Sequence, residues 1–524
     1  MDYNELYNKY LKLLEENQIL RIENMDFRKR LELQTKEICM DNEYKAIVEI
    51  KNDISIQKYK LSEVSNNSLP QEKVELYMTL FKGKKDVHAK RWQNKQGKSG
   101  YSPVCANQWV KGICNKPQIK CSACKNRIYT DLDADAINRH LRGIEILGIY
   151  AMQTDETCYF LAIDFDDDGW EKDICVLREI CDEKRIPFAV ERSRSGNGAH
   201  IWFFFMERIT VLAARKFGTS LLTYAMMQRH EIKFNSYDRL FPNQDTMPKG
   251  GLGNPIELPM QKSARKNNNS IFIDENLEPF TDQWSFLSNI GKITKEEIDF
   301  YTSEFCVGNE LGGLKETDEE SIKPWEKNKE KFKFSKADFP DIVQITIANM
   351  IFISKEGFSN KALDFIKRMA AFKNPEFYKA QAMRLSTFDK PRIISLSDET
   401  VEYLCVPSGC EDDLCSFLTE NKIDFSWEDK TYIGKPIRVE FNGKLREEQI
   451  VAVDTMLKYD NGVLSATTAF GKTVIGAKLI AGRKVNTLII VHTQQLLEQW
   501  KEKLKQFLII NEVLPIDHTK KRGS

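Results

Sequence analysis

The sequence predicts a multidomain α/β protein, and three patterns lead there. Apolar runs of strand length, Tyr159–Ile163 and Ile201–Phe205, alternate with helix-like stretches such as Asp173–Lys184. A Gly471-Lys472-Thr473 loop sits between a short apolar run and a second helix-like stretch. Heptad spacing at the N-terminus and a cluster of four cysteines add two small modules. The length of 524 residues suits about three or four domains.

Composition narrows the classes. Lys+Arg and Asp+Glu are 77 each, so the net charge is zero and any surface for a polyanion must be local. No apolar run reaches the roughly 18 residues of a transmembrane helix, and the N-terminus has no signal-peptide pattern. The expectation is a cytoplasmic protein with no membrane partner. In that setting the twelve cysteines favour reduced thiols and a metal site over disulfides.

Residues 1–36 read as a coiled coil. Leu6, Leu13, Leu20 and Phe27 occupy one heptad position; Tyr3, Tyr10, Asn17, Asn24 and Leu31 occupy the other. Asparagine at two core positions favours a fixed register and a parallel homodimer. Residues 37–69 are polar and read as a linker. A helix over Val74–Phe81 leads into Lys82, Lys84, Lys85, Lys90, Arg91, Trp92, Lys95 and Lys98. Cations interleaved with aromatic rings suit a single-stranded template. Cys105, Cys114, Cys121 and Cys124 follow, with spacing C-x8-C-x6-C-x2-C inside residues 100–130. Four thiolates ending in CxxC fit a closed, structural Zn²⁺ site.

The chemistry is expected at Asp164 and Asp166, which end the apolar run Tyr159–Ile163. Positions i and i+2 of a strand share a face, and two carboxylates so placed invite Mg²⁺ or Mn²⁺. Arg194-Ser195-Gly196-Asn197-Gly198-Ala199-His200 is a glycine-rich turn opening a second apolar strand. Gly196 and Gly198 allow a ligand close to the backbone, and His200 stands at the strand's mouth. Further on lie Tyr237-Asp238-Arg239-Leu240-Phe241-Pro242-Asn243-Gln244-Asp245 and Gly253-Asn254-Pro255-Ile256-Glu257-Leu258-Pro259-Met260-Gln261-Lys262.

These four motifs, in this order, resemble the archaeo-eukaryotic primase domain of TOTE-type conflict systems, over residues 70–290. The resemblance implies an α+β primase-like catalytic domain carrying the zinc module. It implies a primase-polymerase that uses nucleoside triphosphates on a DNA template, in a conflict or defence setting. Its third metal carboxylate falls on Asp238, with Asp245 as the alternative. His200 joins the catalytic set, and Arg194, Ser195, Gly196, Gly198 and Lys262 would bind the nucleotide.

Residues 291–340 are charged and weakly patterned, a connector, and 341–440 form a mixed α/β segment. From 441 a motor begins. Val463-Leu464 reads as a strand, Ala466–Thr473 as a phosphate loop, Val474–Ile480 as a helix and Thr487–Val491 as a second buried strand. In such a loop, backbone N–H groups with Thr468 and Gly471 cradle ATP phosphates, Lys472 meets the β- and γ-phosphates, and Thr473 ligates Mg²⁺. LREEQ, this loop and VHTQQLLEQW resemble the start of a superfamily 2 helicase motor, a partial RecA-like domain in which Gln449 would contact adenine. By that resemblance 341–440 is a helicase accessory region. Ala469 stands where glycine is common, so the loop is strained if that position needs positive φ. No acidic strand or second lobe precedes Ser524, so the motor is expected to be incomplete, without appreciable ATPase activity. Two rival functions share these residues: a metal-dependent nuclease, and a zinc-bearing nucleic-acid adaptor whose primase site is inactive.

Overall fold

The computed structural model describes residues 64–511, apart from 117, 120, 122–123, 167, 307–310, 312–313, 315–332 and 388. The expected coiled coil of 1–36 and most of the 37–69 linker lie outside the described residues. The linker's end is packed: Val64 is buried, and Asn66 N donates to Asp282 Oδ2 at 2.8 Å.

The first segment runs in order α1 (Pro70–Leu80), β1 (Ala89–Gln93), β2 (Ser99–Pro103), α2 (Ala134–Leu141), β3 (Leu147–Tyr150), β4 (Thr157–Phe165), α3 (Trp170–Lys184), β5 (Ala189–Arg192), β6 (Ala199–Thr210) and α4 (Val211–Gln228). It continues through β7 (Leu240–Phe241), β8 (Pro255–Glu257), α5 (Lys262–Arg265), β9 (Ile271–Phe272), α6 (Gln283–Ser288) and α7 (Lys295–Phe305). One sheet has strand order β2-β1-β3-β8 and the other β7-β4-β6-β5-β9. Every pairing in the second sheet is antiparallel.

Strand periodicity divides the core. Leu161, Ile163 and Phe165 of β4, with Ile201, Phe203 and Phe205 of β6, pack on α3, α4 and α7. Phe160, Ala162, Trp202 and Phe204 face the other way, onto α1 and the first sheet. Burial on both faces explains why β4 and β6 read as unbroken apolar runs. Helix α7 corrects the expected connector: Ile298, Tyr301 and Phe305, at i, i+3 and i+7, form an apolar stripe buried in the same core. Its charged residues lie on the other face.

The next segment comprises β10 (Ile342–Ile347), β11 (Ile351–Ser354), α8 (Asn360–Met369), β12 (Ala371–Lys373), α9 (Pro375–Ala382), β13 (Ile393–Ser395), β14 (Asp398–Glu399), β15 (Tyr403–Val406), α10 (Glu411–Glu420) and β16 (Asp424–Asp429). Its sheet, β14-β15-β11-β10-β16, has a core of its own around Val343, Ile351, Ile366 and Leu414. The β12–β13 ribbon belongs elsewhere. Ala371 and Ile393 sit in the same core as Ile163 and Leu240. Buried Arg368 bonds Asp364 at 2.8 Å, Leu311 O at 2.6 Å and the Tyr237 hydroxyl at 3.3 Å. These contacts tie part of the expected helicase accessory region to the segment built on β4 and β6 instead.

The last segment holds β17 (Val439–Phe441), α11 (Glu447–Met456), α12 (Lys472–Arg483), α13 (Gln494–Phe507) and β18 (Leu508–Ile510). β17 pairs antiparallel with β18 over a small core of Val439, Ala477, Ala481 and Leu508. The strands expected at Val463-Leu464 and Thr487–Val491 are not formed. A strand needs a neighbour for its N–H and C=O groups, and among the described residues neither segment has one. Val463, Leu488 and Ile490 are 96%, 84% and 85% exposed.

Candidate active site

Register aligns four charged side chains across the second sheet. Glu191 on β5 lies opposite His200 on β6, and His200 lies opposite Asp164 on β4. The β4–β7 pairing of Ile163 with Leu240 sets Arg239 against Asp164, whose N–H donates to Arg239 O at 3.0 Å. Residues opposite one another share a face, so Glu191, His200, Asp164 and Arg239 form one row of alternating charge.

The contacts follow that row. His200 Nδ1 is 2.9 Å from Glu191 Oε2, and His200 Nε2 is 3.4 Å from Asp164 Oδ1. Arg239 Nη1 reaches Asp166 Oδ2 at 2.7 Å and Asp164 Oδ2 at 3.4 Å. Glu191 is 1% exposed and also accepts from Trp202 Nε1 at 3.0 Å and Ser270 Oγ at 3.3 Å. Burial opposes the His200 imidazolium, but Glu191 and Asp164 overcome it and raise the ring to about 9. At neutral pH His200 is therefore a cation. Burial pushes the Asp164 carboxyl above its usual range, with Asp166 adding to the shift and His200 and Arg239 opposing it.

The first sheet closes the site. Glu257 at the end of β8 accepts from the Tyr101 hydroxyl on β2, and Arg194 Nε lies 3.0 Å from Glu257 Oε1. Burial raises the Glu257 carboxyl, and its charge supports that of His200. The Ser193–Gly198 turn docks against the end of β4 because Gly198 lacks a side chain. A Cβ there would stand 2.4 Å from Phe165 O and 3.1 Å from Asp166 Cα. Gly196 has φ +82°, and Ser195 Oγ accepts from Asn197 N at 3.2 Å.

Asp164, Asp166, His200, Arg194 and the glycine-rich turn thus come together as expected from sequence. The third carboxylate does not join them. Asp238 Oδ1 accepts from Arg392 N at 2.8 Å. Chain direction explains this: Arg239 takes the face of Asp164, and its neighbour Asp238 turns toward Arg392 and Arg215. Asp245 is likewise engaged elsewhere, with Arg215 Nε at 2.8 Å and Arg392 at 3.4 Å. Burial works against the Asp245 charge, yet these two cations hold its carboxyl below the ordinary range. Lys262 begins α5 and packs against Gly143. Among the described residues no three carboxylate, imidazole or thiol groups converge closely enough to hold a metal ion. Sequence reasoning missed Glu191, Arg239, Tyr101 and Glu257 as site residues. Glu257 lies within the Gly253–Lys262 motif, and a lone glutamate at the end of a short apolar run, as at Glu191, carries no chemical signal in sequence.

Cys105, Cys114, Cys121 and Cys124 line one small cavity with Pro103, Ile113 and Tyr129. Cys105 Sγ accepts from Ile128 N at 3.4 Å. Backbone N–H groups of Lys116 and Trp109 lower the Cys114 thiol, which favours thiolate. Nearby, Lys82, Lys84, Lys85 and Arg208 border a separate cavity beside Tyr159.

At the phosphate loop, Gly471 has φ +94° and caps α12, so the helix N-terminus opens onto the loop. Ala469 does adopt positive φ, at +66°. Lys472 Nζ turns to Thr467 O at 3.4 Å. Buried Gln449 donates to Phe470 O at 2.7 Å, and Arg446 donates to the same oxygen at 2.6 Å. A Cβ on Gly471 would meet Gln449 Nε2 at 2.5 Å. Gln449 therefore braces the loop.

A carboxylate pair at the end of β4 and a helix-capped phosphate loop thus occur in one chain. Residues 72–301 match the family described as TOTE conflict system, Archaeo-Eukaryotic Primase domain, and residues 442–521 match Type III restriction enzyme, res subunit. The chain joins an archaeo-eukaryotic primase domain of the TOTE type to a helicase-type segment. The DNA 3'-5' translocase XPB2 of Sulfurisphaera tokodaii is 40% identical over 65 residues, 12% of this chain and 15% of that protein. The putative helicase 161L of Invertebrate iridescent virus 6 is 35% identical over 85 residues, 15% of this chain and 19% of that protein. The putative helicase 109L of Invertebrate iridescent virus 3 is 34% identical over 84 residues, 15% of this chain and 26% of its own length. The chain therefore spans only a minor part of these relatives. Among solved structures, the polymerase domain from Mycobacterium tuberculosis Ligase D in complex with DNA aligns at 13% identity and a TM-score of 0.23, covering 45% of this chain and 85% of that one. Among the described residues no helix is long and apolar enough to cross a membrane.

Proposed function

We propose that the domain is a DNA primase-polymerase: it extends a 3′-hydroxyl on a DNA template from nucleoside triphosphates. The hydroxyl oxygen bonds to the α-phosphorus, the bond to the bridging oxygen breaks, and pyrophosphate leaves with the hydroxyl proton released to solvent or base. The observation that carries this reading is the row of Glu191, His200, Asp164 and Arg239 beside Asp166. Asp164 and Asp166 suit Mg²⁺ or Mn²⁺, since they already hold a cation, the Arg239 guanidinium. Such an ion, when bound, lowers the attacking hydroxyl's pKa and offsets charge on the leaving phosphates.

The chain's own groups supply the rest. Glu191 keeps His200 protonated and oriented, so that it presents a fixed positive charge to the triphosphate. Arg194 adds a second cation beside it, while Ser195, Gly196 and Gly198 shape a turn open to phosphate. Lys262 is a further cation for the nucleotide. Asp238 and Asp245 anchor the β12–β13 ribbon beneath the site. The four cysteines line one cavity and suit a structural Zn²⁺, the Cys114 thiol being lowered by two backbone N–H groups. Under this reading Gln449, Thr468, Gly471, Lys472 and Thr473 bind ATP for a helicase-type motor, and the likeness to the TOTE family model supports a role in conflict or defence. Incubation with Mn²⁺, primed template and deoxynucleoside triphosphates tests the core reading. Extension of the primer is expected; shortening of the strand identifies a nuclease, and no change an inactive adaptor.

A further inference from the structure

We propose that Arg239 is the resident counter-cation of the Asp164–Asp166 pair, and that it gives up this place when a divalent ion enters. The inference rests on the reading of that pair as a metal site. Among the described residues the Arg239 side chain makes its ion pairs to these two carboxylates, at 2.7 and 3.4 Å. Its backbone cannot leave: Arg239 O accepts from Asp164 N, and the next residue, Leu240, is paired with Ile163. The side chain can leave, because it is 38% exposed.

The other arginines around the site differ. Arg215, Arg368 and Arg392 are buried and bonded to fixed partners. Arg192 is tied to backbone oxygens of Asn268 and Leu277. Arg194, 32% exposed, is paired with Glu257 instead. Among the described residues Arg239 is the exposed arginine of the site whose ion pairs are to Asp164 and Asp166.

Two carboxylates left bare on one face repel each other. The guanidinium removes that cost in the metal-free protein. Asp164 and Asp166 would hold a dication in place of the guanidinium, whose two contacts would then be lost. Freed, Arg239 remains at the mouth of the site, where an anionic triphosphate is its nearest new partner. Metal entry and nucleotide capture are thereby coupled: the ion competes with Arg239 until phosphate takes the arginine away.

The test is Mn²⁺ binding to the full chain without nucleotide, read from the electron paramagnetic resonance of the free ion. The specific site is the one abolished by Asp164→Asn. Arg239→Gln and Arg239→Met, two neutral variants of different polarity, are expected to bind Mn²⁺ about tenfold more tightly than wild type, the least that an opposite charge at this range imposes. Arg239→Lys, which keeps the charge, should stay within about twofold of wild type by the same rule. Equal or weaker binding by folded neutral variants overturns the inference and leaves the metal site standing. Absence of any Mn²⁺ site sensitive to Asp164→Asn, in wild type and variants alike, overturns the metal reading and the inference with it.

Discussion

Replacing Glu191 by glutamine removes one charge from the middle of the row while keeping its shape. Glu191 accepts from His200 Nδ1, Trp202 Nε1 and Ser270 Oγ in a fully buried setting. It is the first of the charges that lift His200 from 6.5 to about 9 against burial. That rise corresponds to about 3 kcal/mol. The sign follows from linkage. The folded value lies above the unfolded one, so this stabilisation is complete below pH 6.5, fades between pH 6.5 and 9, and is lost above. In Glu191→Gln the largest supporting charge is gone while burial remains, opposed by Asp164 and Glu257. The His200 midpoint should therefore fall from the wild-type value toward or below the ordinary one. The assay is the ring-proton NMR titration of the metal-free chain, whose six histidines allow assignment of His200 by a His200→Gln spectrum. Denaturant unfolding on either side of the window gives the energy: wild type should lose about 3 kcal/mol from this group as pH rises, and the variant almost none. A His200 midpoint that stays near 9 in Glu191→Gln would refute the reasoning.

Gly198→Ala places a methyl 2.4 Å from Phe165 O; a loss of about 1–3 kcal/mol in stability is expected, with primer extension falling too, both checked by thermal melting and a gel assay. Cys121→Ser or Cys124→Ser should remove one zinc per chain by elemental analysis and lower the melting temperature, because a closed zinc site contributes directly to folding. Lys472→Ala should leave primer extension within about twofold of wild type, since it lies outside the carboxylate row, while weakening ATP binding at the phosphate loop. Loss of extension in a folded Lys472→Ala protein would mean that one nucleotide site serves both segments.

The two central strands and their chemistry were legible because burial on both faces leaves an unmistakable apolar run. Asp164 and His200 each stand at the end of such a run. The partners across the sheet were not legible. Glu191 becomes a site residue only through its pairing with His200, and pairing register is a long-range property that strand spacing does not encode. The same holds for the third motif. Asp238 and Arg239 are adjacent in sequence, and sequence favoured the carboxylate. One residue of register decides which of the two faces Asp164, and it is Arg239. The ribbon at Ala371 and Ile393 was hidden for another reason. It is too short to show a period, and its burial depends on a core built mainly by residues 150–240. The two apolar runs near the phosphate loop show the converse: strand-like composition does not make a strand without a hydrogen-bonding neighbour.

The central claim is that Asp164 and Asp166 carry nucleotidyl transfer, and Asp164→Asn tests it most directly. The substitution keeps the volume and removes the charge. Wild type and variant are compared for extension of a labelled primer on a DNA template with Mn²⁺ and deoxynucleoside triphosphates, with template binding measured in parallel. Extension should fall by at least about a hundredfold, as for loss of a group stabilising transition-state charge, while template binding is retained. Extension at the wild-type rate by folded Asp164→Asn would contradict the account.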